Sequence, residues 1–340
     1  MKVLLKKTLS KSAKILGLDL LTGLANQRLF LPFYHTVSDD DLVHVKYLYP
    51  VPTIKRFKTD LDFLLKNFKP VSYTFLHDYV KNKNAIAENC FFLSFDDGLR
   101  EFYDVVAPIL VHQGIPATCF INTAFIDNRD MFFRMKASIL IDTITRKELS
   151  AGQKKAVTGI FNQHNLTYNS ASDLLRITDQ NKEILDTLAP VVGVCFAEYL
   201  ATHQPYLTTN QIHELIQQGF SIGGHSVSHP YYPMLPEEAQ VKQTVDCLSY
   251  LADNFNIQER LFSFPHTDFN VKKTFFDKIR DHVDLSFGTA GLKLDLLETN
   301  LQRTPMEVPG YSSAEEIVKT EYLYFILKRV VGKHKIHRSW

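Results

Sequence analysis

Cys90-Phe91-Phe92-Leu93-Ser94-Phe95-Asp96-Asp97-Gly98 is the stretch from which the rest of the chain can be read. Its first six residues, nearly all apolar, run straight into two adjacent carboxylates and a glycine. A short, continuous apolar run bounded by a turn signal reads as a strand buried on both faces, as in a parallel sheet covered by helices. Neighbouring side chains on a strand point to opposite faces. Both carboxylates can therefore serve one site only if the backbone leaves the strand between or just after them, and Gly98 gives it that freedom. In α/β barrels the C-terminal ends of strands carry the catalytic groups. The competing reading is a plain Asp-Gly turn with the cap of the following helix.

Outward from this stretch, apolar runs alternate with helical patterns. Residues 29–35 (LFLPFYH) read as a first strand, and Phe57, Leu61, Leu64 and Leu65 then recur at helical spacing. A second strand is expected near 70–75. The helix over 100–113 should stop at Gly114, and 115–122 (IPATCFIN) form the next strand. Further strands are expected at 220–224, 261–265, 283–287 and 301–308, with helices at 208–219, after Pro236 and at 313–331. Val241, Val245, Leu248, Ala252 and Phe255 should form the buried stripe of the helix after Pro236. This alternation implies βαβ units and a parallel sheet. Between about 125 and 205 the rhythm breaks into mostly helical pattern, expected to be an insertion at the active-site end that caps the site and selects substrate.

The 340 residues, 45% hydrophobic and 22% charged, suit a soluble protein with one sizeable core, organised as residues 1–28 and a single barrel domain over 29–340. A net charge of +1 gives no electrostatic footprint for nucleic acid. Cys90, Cys119, Cys195 and Cys247 lack C-x-x-C spacing, which argues against a structural zinc or a disulfide framework and permits a reducing compartment. Lys2, Lys6, Lys7, Lys11 and Lys14 interleave with Leu4, Leu5, Leu9 and Leu16 as a basic amphipathic helix, not a secretory signal. It reads either as a surface helix packed on the barrel or as a peripheral membrane contact. The chain is expected to stay in the cytoplasm.

His225 and His229 lie four apart just past a strand, so a helical turn there would bring both imidazoles to one ion. Joined by a carboxylate from another strand end, they leave an open position for water, the arrangement of a catalytic metal centre. Asp96 and Asp97 would then divide the labour, one binding the ion and one taking a proton.

Ser94-Phe95-Asp96-Asp97-Gly98 resembles the first motif of the polysaccharide deacetylases (carbohydrate esterase family 4, the NodB-homology group). His225-Ser-Val-Ser-His229 resembles their second, H-[ST]-x-x-H, and Ser263-Phe264-Pro265-His266 their third. Tyr34-His35-Thr36-Val37-Ser38 is similar to an opening found in a subgroup. The resemblance implies a distorted (β/α) barrel of about seven parallel strands that removes an N-acetyl group from an amino sugar with the help of a divalent metal, zinc being expected. It implies Asp96 as general base, Asp97, His225 and His229 as metal ligands, and the His266 backbone N–H as oxyanion donor.

Two departures mark this as a non-standard member. The family's third-motif Arg, which pairs with the catalytic Asp, is replaced by Ser263; Arg260 faces the wrong way on a regular strand. Arg303 is the candidate replacement, set against an ordinary surface arginine, and is grouped with His35 on the substrate side. The late Leu-x-His motif that supplies the general acid has no counterpart, leaving His266 and His35 as candidates. The expected substrate is an N-acetylated carbohydrate, in a glycan or in a nucleotide- or lipid-linked precursor. The alternatives are an O-acetyl esterase and a carbohydrate-binding homologue with its chemistry lost.

Overall fold

In chain order the main sheet consists of β1 (Pro32–Tyr34), β2 (Leu93–Phe95), β3 (Ala117–Ile121), β4 (Ser221–Gly224), β5 (Leu261–Ser263), β6 (Leu285–Gly288), β7 (Asn300–Gln302) and β8 (Thr304–Pro305). The structure is a computed structural model that describes residues 2–83 and 85–339, without the side chains of residues 2–5, 7 and 8. The spatial order is β7-β6-β5-β4-β3-β2-β1-β8, with every pairing parallel. β7 and β8 are successive pieces of one extended segment, interrupted only at Arg303, yet they lie on opposite edges of the sheet. That segment closes the barrel. The Arg303 N–H donates to the Gly288 carbonyl (3.0 Å), and the Thr304 N–H donates to the Leu31 carbonyl (2.8 Å). Counting β7 and β8 as one strand turns eight pieces into seven strands, a distorted (β/α) barrel.

Strands β2 and β3 are buried at every position, which is why their sequences are continuous apolar runs without alternation. Leu29–Phe30, Cys90–Phe91 and Lys69–Pro70 form a small parallel sheet at the N-terminal side of β1 and β2. The strand expected over 70–75 is reduced to Lys69–Pro70 and does not continue through 73–75. Tyr73–Asn82 is a helix, in which Tyr73, Leu76, Tyr79 and Val80 recur at helical spacing and pack on one hydrophobic cluster. Packing outweighs the strand preference of Tyr-Thr-Phe. In the helix Glu237–Phe255 the buried stripe is Gln240, Thr244, Cys247, Leu248, Leu251 and Phe255, rotated from the expected one.

Residues 125–205 fold into the helices Phe133–Arg146, Ala151–Gln163, Glu183–Val192 and Phe196–His203 with short 3-10 turns, and no strand occurs among the described residues there. They bury a hydrophobic cluster of their own, including Met135, Leu140, Leu185 and Leu188. Val45, far away in sequence, belongs to the same cluster. The loop around it is tied to the insertion by the Ser138 hydroxyl, which donates to the Val43 carbonyl (2.6 Å), and by a Lys46–Asp142 ion pair (2.6 Å). The insertion is thus enlarged by a segment that follows β1.

The N-terminal helix Lys2–Ala13 packs on the C-terminal helix Ala314–Val330. Lys6 pairs with Glu321, and Lys14 pairs with Glu316 at 3.3 Å. The side chains of Lys2, Leu4, Leu5 and Lys7 lie outside the described residues. Among the described residues no single helix is long and apolar enough to cross a membrane.

Candidate active site

The backbone leaves β2 just after Asp96. The Asp96 N–H still donates to the Tyr34 carbonyl (2.9 Å), as a strand residue would, whereas Asp97 and Gly98 take φ of 73° and 66°. Left-handed backbone is uncommon for an aspartate, and it turns the Asp97 carboxylate away from its neighbour's direction. A Cβ at residue 98 would lie 2.8 Å from Ile121 Cγ2, so glycine is required there by space as well as by φ. Leu207 N–H donates to the Gly98 carbonyl (3.0 Å), fastening this turn to the chain that returns from the insertion.

His225 and His229 reach Asp97 from the end of β4, though not through a helical turn. Ser226 and His229 have φ of 68° and 58°, and the loop folds back on itself. Gln243 pins it by accepting from the N–H groups of Val227 (3.0 Å) and Ser228 (3.1 Å). The Nε2 atoms of His225 and His229 lie 3.4 and 3.2 Å from Asp97 Oδ1. These three ligand atoms form the one Asp/His cluster with metal-binding geometry among the described residues. Ligands about 2.0–2.2 Å from a tetrahedral ion stand roughly 3.3–3.6 Å apart, so the spacing fits a cation at the centre. Asp97 Oδ1 is buried without a hydrogen bond, and His225 Nδ1–H donates to the Ser263 carbonyl (2.8 Å), which leaves its Nε2 lone pair facing inward. Burial alone would raise Asp97, but the imidazoles hold it well below the usual carboxylate range.

Asp96 points the other way, into the barrel, against Arg303. The guanidinium donates to Asp96 Oδ1 (2.8 Å) and Oδ2 (2.7 Å), and also to the hydroxyls of Ser94 (2.9 Å) and Ser263 (2.5 Å). It lies over the rings of Phe33 (4.4 Å) and Phe120 (5.2 Å). Arg303 is 0% exposed, so it is neither a surface arginine nor able to touch a substrate, and its grouping with substrate-binding residues is corrected. Burial tends to raise Asp96, and Arg303 outweighs this, keeping the carboxyl below its ordinary value. Ser263 is small enough to leave room for the guanidinium that arrives from the closing strand.

His35 sits at the end of β1, and Glu307 faces it from just past β8. Glu307 Oε1 accepts from the N–H groups of His35 (2.9 Å) and Thr36 (3.0 Å), while Oε2 pairs with His35 Nδ1. Burial would lower this imidazole, but the Glu307 carboxylate raises it to about 9. Tyr49 stacks on the ring at 4.5 Å. His266, after β5, has its ring 4.6 Å from His229, and burial followed by the positive charge of neighbouring groups pushes it well below the ordinary imidazole value. The two histidines therefore differ: His35 is held protonated and His266 neutral.

A cavity of about 400 Å³ joins these groups, lined by His35, Asp96, Asp97, His225, His229 and His266, and on the far side by Tyr49, Phe132, Arg134 and Leu175. Phe132 lies 4.2 Å from the His229 ring. The insertion thus stands beside the strand ends that carry the carboxylates. Sequence reading did not single out Glu307, Tyr49, Phe132, Arg134 or Leu175. Glu307 alone carried a signal, four residues past Arg303 at the end of the same expected strand. A larger hollow of about 570 Å³ between Arg28, Tyr79 and Leu297 contains none of the site's acids or histidines.

A parallel barrel with two acids and two histidines gathered at its strand ends is the frame of a hydrolase. Residues 83–278 match the family model of the polysaccharide deacetylases, more than half of the chain, and the chain belongs to that family of carbohydrate deacetylases. Among solved structures it is similar to the Streptococcus pyogenes deacetylase PplD in complex with acetate, at 16% identity and a TM-score of 0.56 over 87% of this chain and 98% of that one. IcaB from Ammonifex degensii gives 15% and 0.54 over 86% and 97%. A de-N-acetylase from Aggregatibacter actinomycetemcomitans gives 14% and 0.52 over 86% and 100%. At these identities the likeness establishes the fold. No match was found among curated protein sequences.

Proposed function

We propose that this chain is a metal-dependent hydrolase that removes the N-acetyl group from an amino sugar of a glycan or glycan precursor. The observation that carries this reading is the convergence of His225 Nε2 and His229 Nε2 on Asp97 Oδ1 at 3.4 and 3.2 Å, with a second, separately paired carboxylate next to it. A divalent ion held by Asp97, His225 and His229, with zinc suited to this mixed N/O set, would supply Lewis acidity for the acetyl carbonyl and lower the pKa of a water. Asp96, kept ionised by Arg303, takes the proton of the attacking water. The family resemblance gives the His266 backbone N–H the role of donor to the developing oxyanion. His35, charged through Glu307, returns a proton to the departing amine; neutral His266 is the poorer donor. Phe132, Leu175 and Tyr49 shield the reacting bond and hold the sugar.

The test is elemental analysis of the wild-type chain and of His225→Ala and His229→Ala, with acetate release screened on N-acetylated sugars. The expected result is one divalent ion in the wild type, none in either variant with the fold retained, and acetate from at least one sugar. Undiminished metal in both variants would remove the site from the mechanism.

A further inference from the structure

Arg134 is a charge without a partner. It lies in the first turn of the helix Phe133–Arg146, a turn with no acidic residue, so the helix dipole opposes its charge instead of compensating it. Among the described residues its guanidinium makes no hydrogen bond or ion pair: Nε is buried and unmatched, and the guanidinium lies 5.9 Å from the Phe133 ring. The acids around the cavity are already engaged. Asp96 is held by Arg303, Asp97 by the two histidines, and Glu307 by His35 and two backbone N–H groups. Asp130, close in sequence, is 63% exposed and faces Lys136. A partly desolvated cation costs free energy unless an anion meets it.

We propose that Arg134 forms an anion subsite of the cavity, and that the N-acetylated sugar bound here carries an oxyanion, a phosphate ester or a carboxylate, next to its acetamido group. The planar fork of arginine presents parallel donors that match two oxygens of either group, and a neutral sugar offers nothing of equal strength. This deepens the deacetylase reading by naming the substrate class, and it rests on that reading for the sugar but not for the charge.

Binding to the metal-loaded full chain is measured by titration calorimetry with three probes: N-acetylglucosamine 1-phosphate, N-acetylmuramic acid and neutral di-N-acetylchitobiose. At least one oxyanion probe should bind about tenfold more tightly than the neutral one, and the stronger of the two identifies the source of the anion. In Arg134→Gln the ratio should fall to within about twofold, while Arg134→Lys, which keeps the charge but not the fork, should retain part of it. Raising salt on the wild type should weaken the oxyanion probe and leave the neutral one alone, a readout independent of any variant. The proposal is overturned if all three probes bind the wild type equally, or if Arg134→Gln weakens them equally. A preference for oxyanions that survives in Arg134→Gln also overturns it, because the anion would then sit on the metal ion. Acetate release is followed on the same probes; selective binding without release from any sugar would sink the deacetylase reading and leave the subsite standing.

Discussion

The barrel wall of the cavity and the wall supplied by the insertion and its attached loop differ in how their polar groups are satisfied. On the barrel side each acid faces a basic group from another strand, Asp96 with Arg303, Asp97 with His225 and His229, and Glu307 with His35, although Asp97 Oδ1 itself is left without a hydrogen bond. On the other side Phe132 and Leu175 are apolar, Arg134 is unpaired, and the Tyr49 hydroxyl is buried without a hydrogen bond. Groups that perform chemistry have to be held in one geometry and one protonation state before substrate arrives, and mutual pairing does this. Groups that select a substrate keep their bonding capacity for it. Substitutions on the barrel wall should therefore damage kcat, metal content or stability, and those on the insertion wall should act on binding.

The largest effect is expected at the central carboxylates. Asp96→Asn keeps shape but removes the proton acceptor, so kcat should fall about 10²–10⁴-fold with metal content near normal. Asp97→Asn should lose metal and recover part of its activity in excess metal, since an amide is a poorer ligand. If Asp96→Asn lost the metal and Asp97→Asn kept it, the two roles would be reversed.

Next comes the pairing itself. Arg303→Met strands the Asp96 carboxylate in the barrel interior and leaves the Ser94 and Ser263 hydroxyls without the guanidinium. Breaking a buried ion pair from one side costs about 3–5 kcal/mol, read as a lowered midpoint in chemical denaturation. A loss below about 1 kcal/mol would mean that Asp96 does not depend on Arg303 for its satisfaction, and the contrast between the two walls would fail.

A smaller effect is expected at Glu307. With His35 at about 9, its protonated form persists through neutral pH and is lost as pH rises through that value, so kcat/KM should decline on an alkaline limb near 9. Glu307→Gln removes the charge that raises the imidazole, and the limb should move down by a unit or more, costing about threefold or more in activity near pH 8.5. Stability follows the same sign. The folded pKa exceeds the ordinary 6.5, so the ion pair contributes fully below that pH and its contribution fades as pH rises towards 9. An alkaline limb unmoved in Glu307→Gln would assign the proton donor elsewhere.

The same contrast explains what was legible in the chain. Asp96-Asp97-Gly98 and His225-x-x-x-His229 are local, so their residue types and their place after apolar runs announce them. Arg303 could be named only as one option, because its partner Asp96 is over two hundred residues away and the two meet through barrel closure, which no local pattern encodes. From Tyr73 a helix replaces the end of the expected strand, because strand preference at its first residues is weaker than the packing of Leu76. Phe132, Arg134 and Leu175 were invisible for a different reason. Helical periodicity tells which residues are buried, not that one end of the insertion's buried face opens onto a cavity shared with a distant strand end. Tyr49 sits in an irregular loop with no pattern at all.

The mildest prediction falls on that tyrosine. Its ring stacks on His35 at 4.5 Å, and its hydroxyl is buried in the cavity wall with no acceptor from the chain. Tyr49→Phe preserves the stacking and deletes only the hydroxyl. Because no intramolecular hydrogen bond is lost, stability should hold or rise slightly, unlike the result at a hydroxyl with a partner. If the hydroxyl serves the bound sugar, the cost appears on binding: about 0.5–1.5 kcal/mol, a rise of roughly two- to tenfold in KM at nearly constant kcat. Steady-state kinetics on a confirmed substrate, together with a thermal melt, read both sides of this statement. A fall in kcat at constant KM would instead place Tyr49 among the groups that act in the transition state, and the division between a wall for chemistry and a wall for selection would have to be redrawn at His35.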